Sequence, residues 1–478
     1  MRSAFFLASY CLCLNVNSAR VEAAPVSGFT VAEVQAIDAF IHEAMRDSQA
    51  ALVVGLVDEA GERVFSAGAL GNATELSPDG DSVFFIGSVS KTFTALLLLE
   101  MVDRGEVQLE DPVAKYLPAA VKLPAFDGKE ITLVELATQS SGLPFNADNM
   151  TGADAREEYE SYTIEKMYDF LGDYELGQKP GTAFAYSNVG MALLGHALER
   201  RAGETFESLV RERICRPLGM DSTCITLTPE QTKRLAIGRD DESNPSMPWK
   251  FQAYHAAGDI HSTANDLLRY AAAQAGVRPS TLTPLIERSH IIRFNDVPGR
   301  SSDVNMLMGR TATPWVDRNA VQPPGMELLA HAGGAGSYHA WVGFDKRQRR
   351  GVVVLSTAND LSVEAIGWTI LQRLPLAADR KLEFAREIVG IGAALAVDER
   401  THALRISAVI PDSPAAEAGL TAGSIIQTID GAPIAGKNLT ECANLIRGPV
   451  GTKVSLGLAD SDEKPGRIVE LTRRRFST

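Results

Sequence analysis

Ser88 and Lys91 stand three residues apart in the stretch FFIGSVSKTFTALLLLEMVDRGE, which runs from Phe84 to Glu106. On a helix that spacing puts both side chains on one face, so the ammonium can lie beside the hydroxyl. A lysine so placed can take the serine's proton or hold the resulting alkoxide, which makes an ordinary hydroxyl a nucleophile. Residues 83–86 read as a strand that stops at Gly87, and residues 92–102 are apolar on nearly every face, the pattern of a helix buried all round. An unpaired ammonium is costly to bury, so Lys91 either escapes to solvent at the helix start or has a partner in a closed site. The free N–H groups of a helix N-terminus add partial positive charge where negative charge would develop. Ser90 offers a second hydroxyl, but it is adjacent to Lys91 in sequence and faces elsewhere. Spacing alone does not decide the matter. Ser461 and Lys464 repeat it inside SDEK, a charged segment expected to be a solvated turn.

Two further groups of residues could join this chemistry. In Phe184-Ala-Tyr186-Ser-Asn188-Val-Gly190, a phenol and an amide stand two residues apart before an apolar helix. A phenolate stabilised by a nearby lysine could act as general base, and the amide could orient a substrate carbonyl or the lysine. The same residues could equally be a core tyrosine and a capping asparagine. His331-Ala-Gly333-Gly334 ends a strand with residues small enough for backbone to approach a ligand, or is simply a glycine-rich strand end.

The elements that must position these residues follow from patterning. Thr30-Val-Ala-Glu33 is a capping box opening an amphipathic helix to about residue 47. Residues 51–57 and 63–67 form a hairpin around Gly61, and the strand at 83–86 leads into the Lys91 helix. Helices are expected at 132–139, 190–202, 207–216 and 264–275. Strand character returns at 327–331, 338–344 and 351–356, and a helix at 363–374 closes the region. Strands at both ends with helices between predict an α/β (α+β) fold: one antiparallel sheet flanked by helices, with an all-helical subdomain inserted at its edge. A composition change marks a linker at 375–382, and residues 383–478 form a small β-rich domain.

The chain has 478 residues, 45% of them hydrophobic, enough for two or three domains, and a formal net charge of −14. That charge argues against nucleic-acid partners and polybasic membrane binding. Arg2, an apolar run over 4–14 and the small-residue end at Val21-Glu22-Ala23 read as a secretory signal peptide, residues 1–23. The apolar run is shorter than the ~20 residues that span a bilayer, and no membrane span is expected after cleavage. The mature chain would be periplasmic or secreted. Cys11 and Cys13 leave with the peptide, so Cys215, Cys224 and Cys442 remain. Cys215 and Cys224 could close a small loop or be buried free thiols. No metal-ligand spacing and no phosphate-binding glycine motif appears, so neither a metal nor another cofactor is expected.

Taken together, GSVSKTFT, YSN and HAG resemble the serine β-lactamase and penicillin-binding-protein family, in its class C β-lactamase and esterase branch. TQSSGLP (138–144), PGTAFAYSN (180–188), RPLGMDST (216–223) and GDIHSTANDL (258–267) agree, so the resemblance spans about residues 30–374. It implies a hydrolase domain over 24–374, with Ser88 the acylated nucleophile, Lys91 its activator and Tyr186 a base for acylation or deacylation. Asn188 would contact substrate, and the N–H groups of Ser88 and Gly334 would form an oxyanion hole. His331 departs from the family's usual lysine, which puts strong recognition of a substrate carboxylate in doubt. The implied substrate is a small molecule or a peptidoglycan-derived peptide: a β-lactam, a D-Ala-D-Ala peptide or an ester. Carboxylesterase activity and a non-catalytic binding scaffold are the alternatives.

The last domain resembles a bacterial PDZ domain in ISAVIPDSPAAEAGLTAG (406–423) and in 425–431. The resemblance makes Val389-Gly390-Ile391-Gly392 a carboxylate-binding loop and 439–446 the helix beside a groove that takes a peptide or protein segment as an added strand.

Overall fold

The computed structural model describes residues 28–376 with gaps, the longest at 296–302 and 311–325, and parts of 388–476. The expected signal peptide and nearly all of the expected linker lie outside the described residues.

Both ends of the first domain contribute to one five-stranded antiparallel sheet. Its order is Leu328–Ala335, Tyr338–Asp345, Arg350–Ser356, Ala51–Asp58, Gly61–Gly68. In the central pair Leu52 lies opposite Ser356 and Val57 opposite Gly351. Every residue of Ala51–Asp58 is buried, because helices cover both faces. Leu52, Val54 and Leu56 pack beneath helices Val31–Ala44 and Val363–Leu371, while Val53 and Val57 face the larger core that includes helix Ala264–Gln274. The expected capping box forms at the first helix. Thr30 N donates to Glu33 Oε2 (2.7 Å) and Glu33 N to Thr30 Oγ1 (3.3 Å).

Helices Leu133–Ala137, Ala155–Glu160, Ile164–Asp173, Asn188–Ala202 and Phe206–Val210 belong to the helical subdomain. The helix expected at 207–216 is interrupted: Phe206–Val210 passes into a π turn, Arg211–Cys215, then Arg216–Leu218. Pro217 has no N–H to return to the preceding turn, and the widened turn accommodates that loss. A second difference concerns strand Val83–Phe85. It joins no main-sheet strand and pairs with His261–Thr263, Phe85 opposite His261. The chain just before Ser88 is thereby tied to the segment GDIHSTANDL.

The C-terminal unit is an antiparallel sheet in the order Ala393–Val397, Leu404–Val409, Ile425–Ile429, Lys453–Ser461, Lys464–Thr472. Its core, with Ile391, Ile406, Ile426, Leu456 and Leu471, is its own. Ser461 lies opposite Lys464 across the pairing of the last two strands of this sheet, and Asp462 and Glu463 between them lie outside the described residues. Cys215 and Cys224 are free thiols, so no disulfide closes the small loop between them.

Candidate active site

Ser88 sits in a single 3-10 turn, Gly87–Val89, that runs directly into helix Ser90–Asp103. Lys91 occupies the helix's first turn with only 3% of its surface exposed. Its Nζ lies 2.8 Å from Ser88 Oγ and 2.7 Å from the carbonyl oxygen of Ala257. Among the described residues no ion pair involves it. Lys91 therefore has partners in a closed site, but they are a hydroxyl and a carbonyl rather than a counter-charge. Burial pushes the ammonium down from its ordinary 10.5 to about 7.

The backbone on either side of Ala257 is held by the same helix. Thr94 Oγ1 donates to Ala256 O (2.6 Å), and Ser90 Oγ accepts from Ile260 N (3.2 Å). Ser90 is thus buried and committed to the backbone that cradles Lys91, which removes it as the rival hydroxyl.

Tyr186 lies beside the pair. Lys91 Nζ stands 5.0 Å from its ring centroid, and the Ser88 side chain lies close enough to the phenol to favour its charged form. Burial raises the phenol above its ordinary value and Ser88 works the other way, with burial dominant. The resting form is the neutral phenol, where the sequence suggested a phenolate. Phe145 stacks on this ring (5.9 Å between centroids, 28°) and is 58% exposed, forming the lip of the cleft.

Asn188 opens helix Asn188–Ala202, but the cap is Ser187, whose Oγ accepts from Gly190 N at 2.8 Å. The Asn188 side chain is free for another task. Its Nδ2 lies 3.1 Å from Asn146 Oδ1 and 3.2 Å from the Tyr159 hydroxyl, which is itself 2.9 Å from Asn146 Oδ1.

His331 lies on strand Leu328–Ala335, opposite Val342. Its Nδ1 is 2.6 Å from the Ala332 carbonyl oxygen. A carbonyl only accepts, so Nδ1 carries the hydrogen and Nε2 keeps its lone pair. Burial, with the Lys91 charge adding to it, holds the imidazole down at about 4. It is neutral at pH 7. Gly333 and Gly334 come next, in direct backbone contact with the Ser88 turn. A Cβ on Gly333 would stand 2.2 Å from Ile86 O and 2.5 Å from Ser88 N. A Cβ on Gly87, whose φ is +49°, would stand 2.4 Å from Gly334 N. Both positions need glycine, and their contact brings the backbone nitrogens of Ser88 and Gly334 into one small region.

The structure therefore gathers Ser88, Lys91, Tyr186, His331, Gly333 and Gly334, with Asn188 in an adjoining amide cluster. Asn146, Phe145, Tyr159 and the Ala257 carbonyl were not foreseen. Asn146 and Phe145 directly follow TQSSGLP, which could have pointed to them; no sequence signal marks Tyr159.

The loop of the last domain is a separate place. Gly390 ends a strand paired with Arg474–Phe476, Ile391 is buried, and the Ile391 and Gly392 carbonyls accept from Ala415 N (2.7 Å) and Ser413 Oγ (3.3 Å). Strand Ala393–Val397 follows at one edge of its sheet, with no described strand on its outer side. Of the helix expected at 439–446, only Cys442, Leu445 and Ile446 are described.

Residues 37–375 match the family model described as Beta-lactamase, and residues 405–460 match that of a PDZ domain. The chain is 30% identical over 321 residues to the D-alanyl-D-alanine-carboxypeptidase/endopeptidase AmpH of Escherichia coli (strain K12), covering 64% of this chain and 79% of that protein. It is 25% identical over 356 residues to a β-lactamase of Pseudomonas fluorescens, covering 70% and 95%. Among solved structures, a β-lactamase/D-alanine carboxypeptidase from Yersinia pestis complexed with citrate has a TM-score of 0.59 at 24% identity, covering 71% of this chain and 98% of that one. A class C β-lactamase from Rhodobacter sphaeroides has 0.58 at 21%, covering 72% and 99%. At those identities the solved structures show a shared fold.

Proposed function

Because the chain belongs to the β-lactamase family and carries a PDZ domain behind the family domain, we propose that this serine hydrolase works through an acyl-enzyme on Ser88. Its substrate is an amide or ester of the β-lactam or D-Ala-D-Ala type. The observation that carries the reading is the 2.8 Å contact between Ser88 Oγ and a buried Lys91 held near pKa 7. An amine at that value is available as a base at neutral pH.

Lys91 takes the Ser88 proton as Oγ attacks the carbonyl, and the oxyanion settles on the Ser88 and Gly334 N–H groups, one such donor being worth ~3 kcal/mol of barrier. Collapse expels the leaving group, which takes its proton from the Tyr186 phenol. Lys91 is then an ammonium beside a Tyr186 phenolate. That phenolate removes a proton from the water that attacks the acyl-enzyme, and Ser88 leaves with the proton returned by Lys91. Every group ends as it began.

The neutral imidazole of His331 favours a second reading, carboxylesterase activity, because it offers a substrate carboxylate no fixed charge. The contact between Ser88, Lys91 and Tyr186 speaks against a non-catalytic scaffold. We read the chain as exported, on the apolar run after Arg2; no helix among the described residues is long and apolar enough to cross a membrane. The PDZ loop and the edge strand Ala393–Val397 would take a peptide. Incubation with a fluorophosphonate and with a fluorescent penicillin, read by intact mass, tests the central claim. One adduct per chain is expected. No adduct with either reagent overturns it.

A further inference from the structure

Gln139 is buried, and its φ of +57° lies in the left-handed region. It follows helix Leu133–Ala137 and the cap Thr138, and the helix ends there in a nested pair of bonds. Ser140 N donates to Glu135 O (2.9 Å) and Gln139 N to Leu136 O (3.2 Å). That pattern puts the left-handed residue just past the cap, where glycine is usual because it has no Cβ to strain. A glutamine in this conformation is strained, and such strain persists where the surroundings make use of the residue.

Both of its acceptors serve one stretch of chain. Ala185 N donates to Gln139 O (2.7 Å), and Ser187 N donates to Gln139 Oε1 (2.6 Å). Between those residues stands Tyr186. Residues 184–187 belong to no helix or strand, so individual hydrogen bonds must hold them. Gly181 N to Ser140 O (2.8 Å) and Asn188 N to Phe145 O (2.8 Å) fix the chain on either side. Among the described residues the Tyr186 N–H and carbonyl make no hydrogen bond of their own, and the Ser187 N–H has no acceptor besides Gln139 Oε1. Ser187 is buried, so without that oxygen its N–H would be an unpaired donor. The bond to Oε1 therefore sets the plane of the Tyr186–Ser187 peptide, and with it the backbone from which the Tyr186 ring projects.

We propose that Gln139 is a positioning residue, whose side chain holds the Tyr186–Ser187 peptide so that the Tyr186 phenol can give its proton to the leaving group. The proposal rests on the reading of Ser88 as the acylated nucleophile. Its consequence depends on what leaves. Opening a β-lactam breaks a C–N bond whose nitrogen takes the Tyr186 proton. A fluorophosphonate loses fluoride, which departs as the anion and needs no proton. Lys91 takes the Ser88 proton in both reactions.

The test follows both labelling rates by intact mass on the full-length chain. Gln139→Met keeps the length of the side chain and removes the acceptor. Labelling by a fluorescent penicillin should slow at least about tenfold, the scale of a small misplacement of a reacting group. Fluorophosphonate labelling should stay within about threefold. Gln139→Gly relieves the left-handed strain and lacks Oε1, so it covers the case in which the first variant does not fold; the same split between reagents is expected. In a Tyr186→Phe background Gln139→Met should not slow the residual penicillin labelling further, because Gln139 acts through Tyr186. Equal slowing with both reagents, unchanged rates, or a full additional loss in the Tyr186→Phe background would overturn the proposal while leaving the Ser88 reading intact. No label from either reagent on the unaltered chain would fail the Ser88 reading instead. Exchange of the Ser187 backbone amide hydrogen, followed by NMR, then decides whether Gln139 holds this peptide. It should be slow in the unaltered chain and at least about tenfold faster in Gln139→Met; equal exchange in the two would overturn the proposal.

Discussion

Lys91 is buried against two oxygens with no carboxylate beside it, so the folded protein is strained in proportion to how much of this amine is charged. Its folded pKa lies near 7 and its ordinary value is 10.5. Between those values the unfolded chain binds the proton and the folded one does not, so stability rises with pH across that window. Below about pH 7 the whole penalty is present. Lys91→Met should therefore abolish labelling yet stabilise the fold, and the gain should be ~2–3 kcal/mol larger at pH 7 than at pH 9 in urea unfolding. In the unaltered protein kcat/KM for p-nitrophenyl acetate should rise through about pH 7 as the amine becomes a base. Ser88→Ala should remove covalent labelling while Ser461→Ala leaves it untouched; label surviving in the first variant would sink the assignment. At His331, a permanent ammonium gives a substrate carboxylate a partner and gives a neutral ester none. His331→Lys should raise the cephalosporin-to-acetate ratio of kcat/KM by roughly ten- to a hundredfold, the scale of a charge-assisted hydrogen bond, and an unchanged ratio would place His331 outside the substrate cleft. Residue types and spacing single out Ser88, Lys91 and Tyr186 as candidates, and the structure brings the three together. Their protonation states were not legible, because they depend on desolvation by residues far away in sequence.

At the scale of elements, the site is a joint between the turn that opens the Lys91 helix and the end of strand Leu328–Ala335. Gly333 and Gly87 let two backbones touch there. A methyl group on Gly333 would meet backbone atoms, which cannot swing aside as a side chain can. Gly333→Ala should still fold, since the sheet's central strands lie elsewhere, losing ~1–3 kcal/mol in thermal unfolding. Its labelling rate should fall by about a hundredfold, the cost of roughly 1 Å of misplacement. A rate unchanged within error would mean that the strand end takes no part in aligning Ser88. The strands and helices of this joint were readable from alternation, from capping residues such as Thr30, and from glycines at their ends. The partner of Val83–Phe85 was not, because three buried residues carry no alternation that names a neighbour. Tyr159 was invisible for a related reason: a tyrosine on a polar six-residue helix looks like surface until Phe251 and Asn188 are brought against it.

For the whole molecule, the C-terminal sheet closes over its own core, so the hydrolase and the PDZ domain should separate cleanly. A chain ending near residue 376 should fold cooperatively and keep its p-nitrophenyl acetate activity; loss of soluble folding would mean that the C-terminal unit completes the hydrolase core. A composition change suggests the division, whereas the pairing of the two ends of the first domain was only a deduction from where strands occur. That pairing also bears on the order of events during synthesis. The Ser356 hydroxyl donates to Ala51 O across 305 residues, so the first strands must wait for a partner that the ribosome makes much later. Contacts of such long range fold slowly and form last. Ser88 leaves the ribosome early, but the strand that aligns its backbone begins at Leu328. A nascent chain stalled before Leu328 should take no label, and one released after residue 376 should take it fully. On the proposed mechanism, Ser88 is therefore made early and armed late.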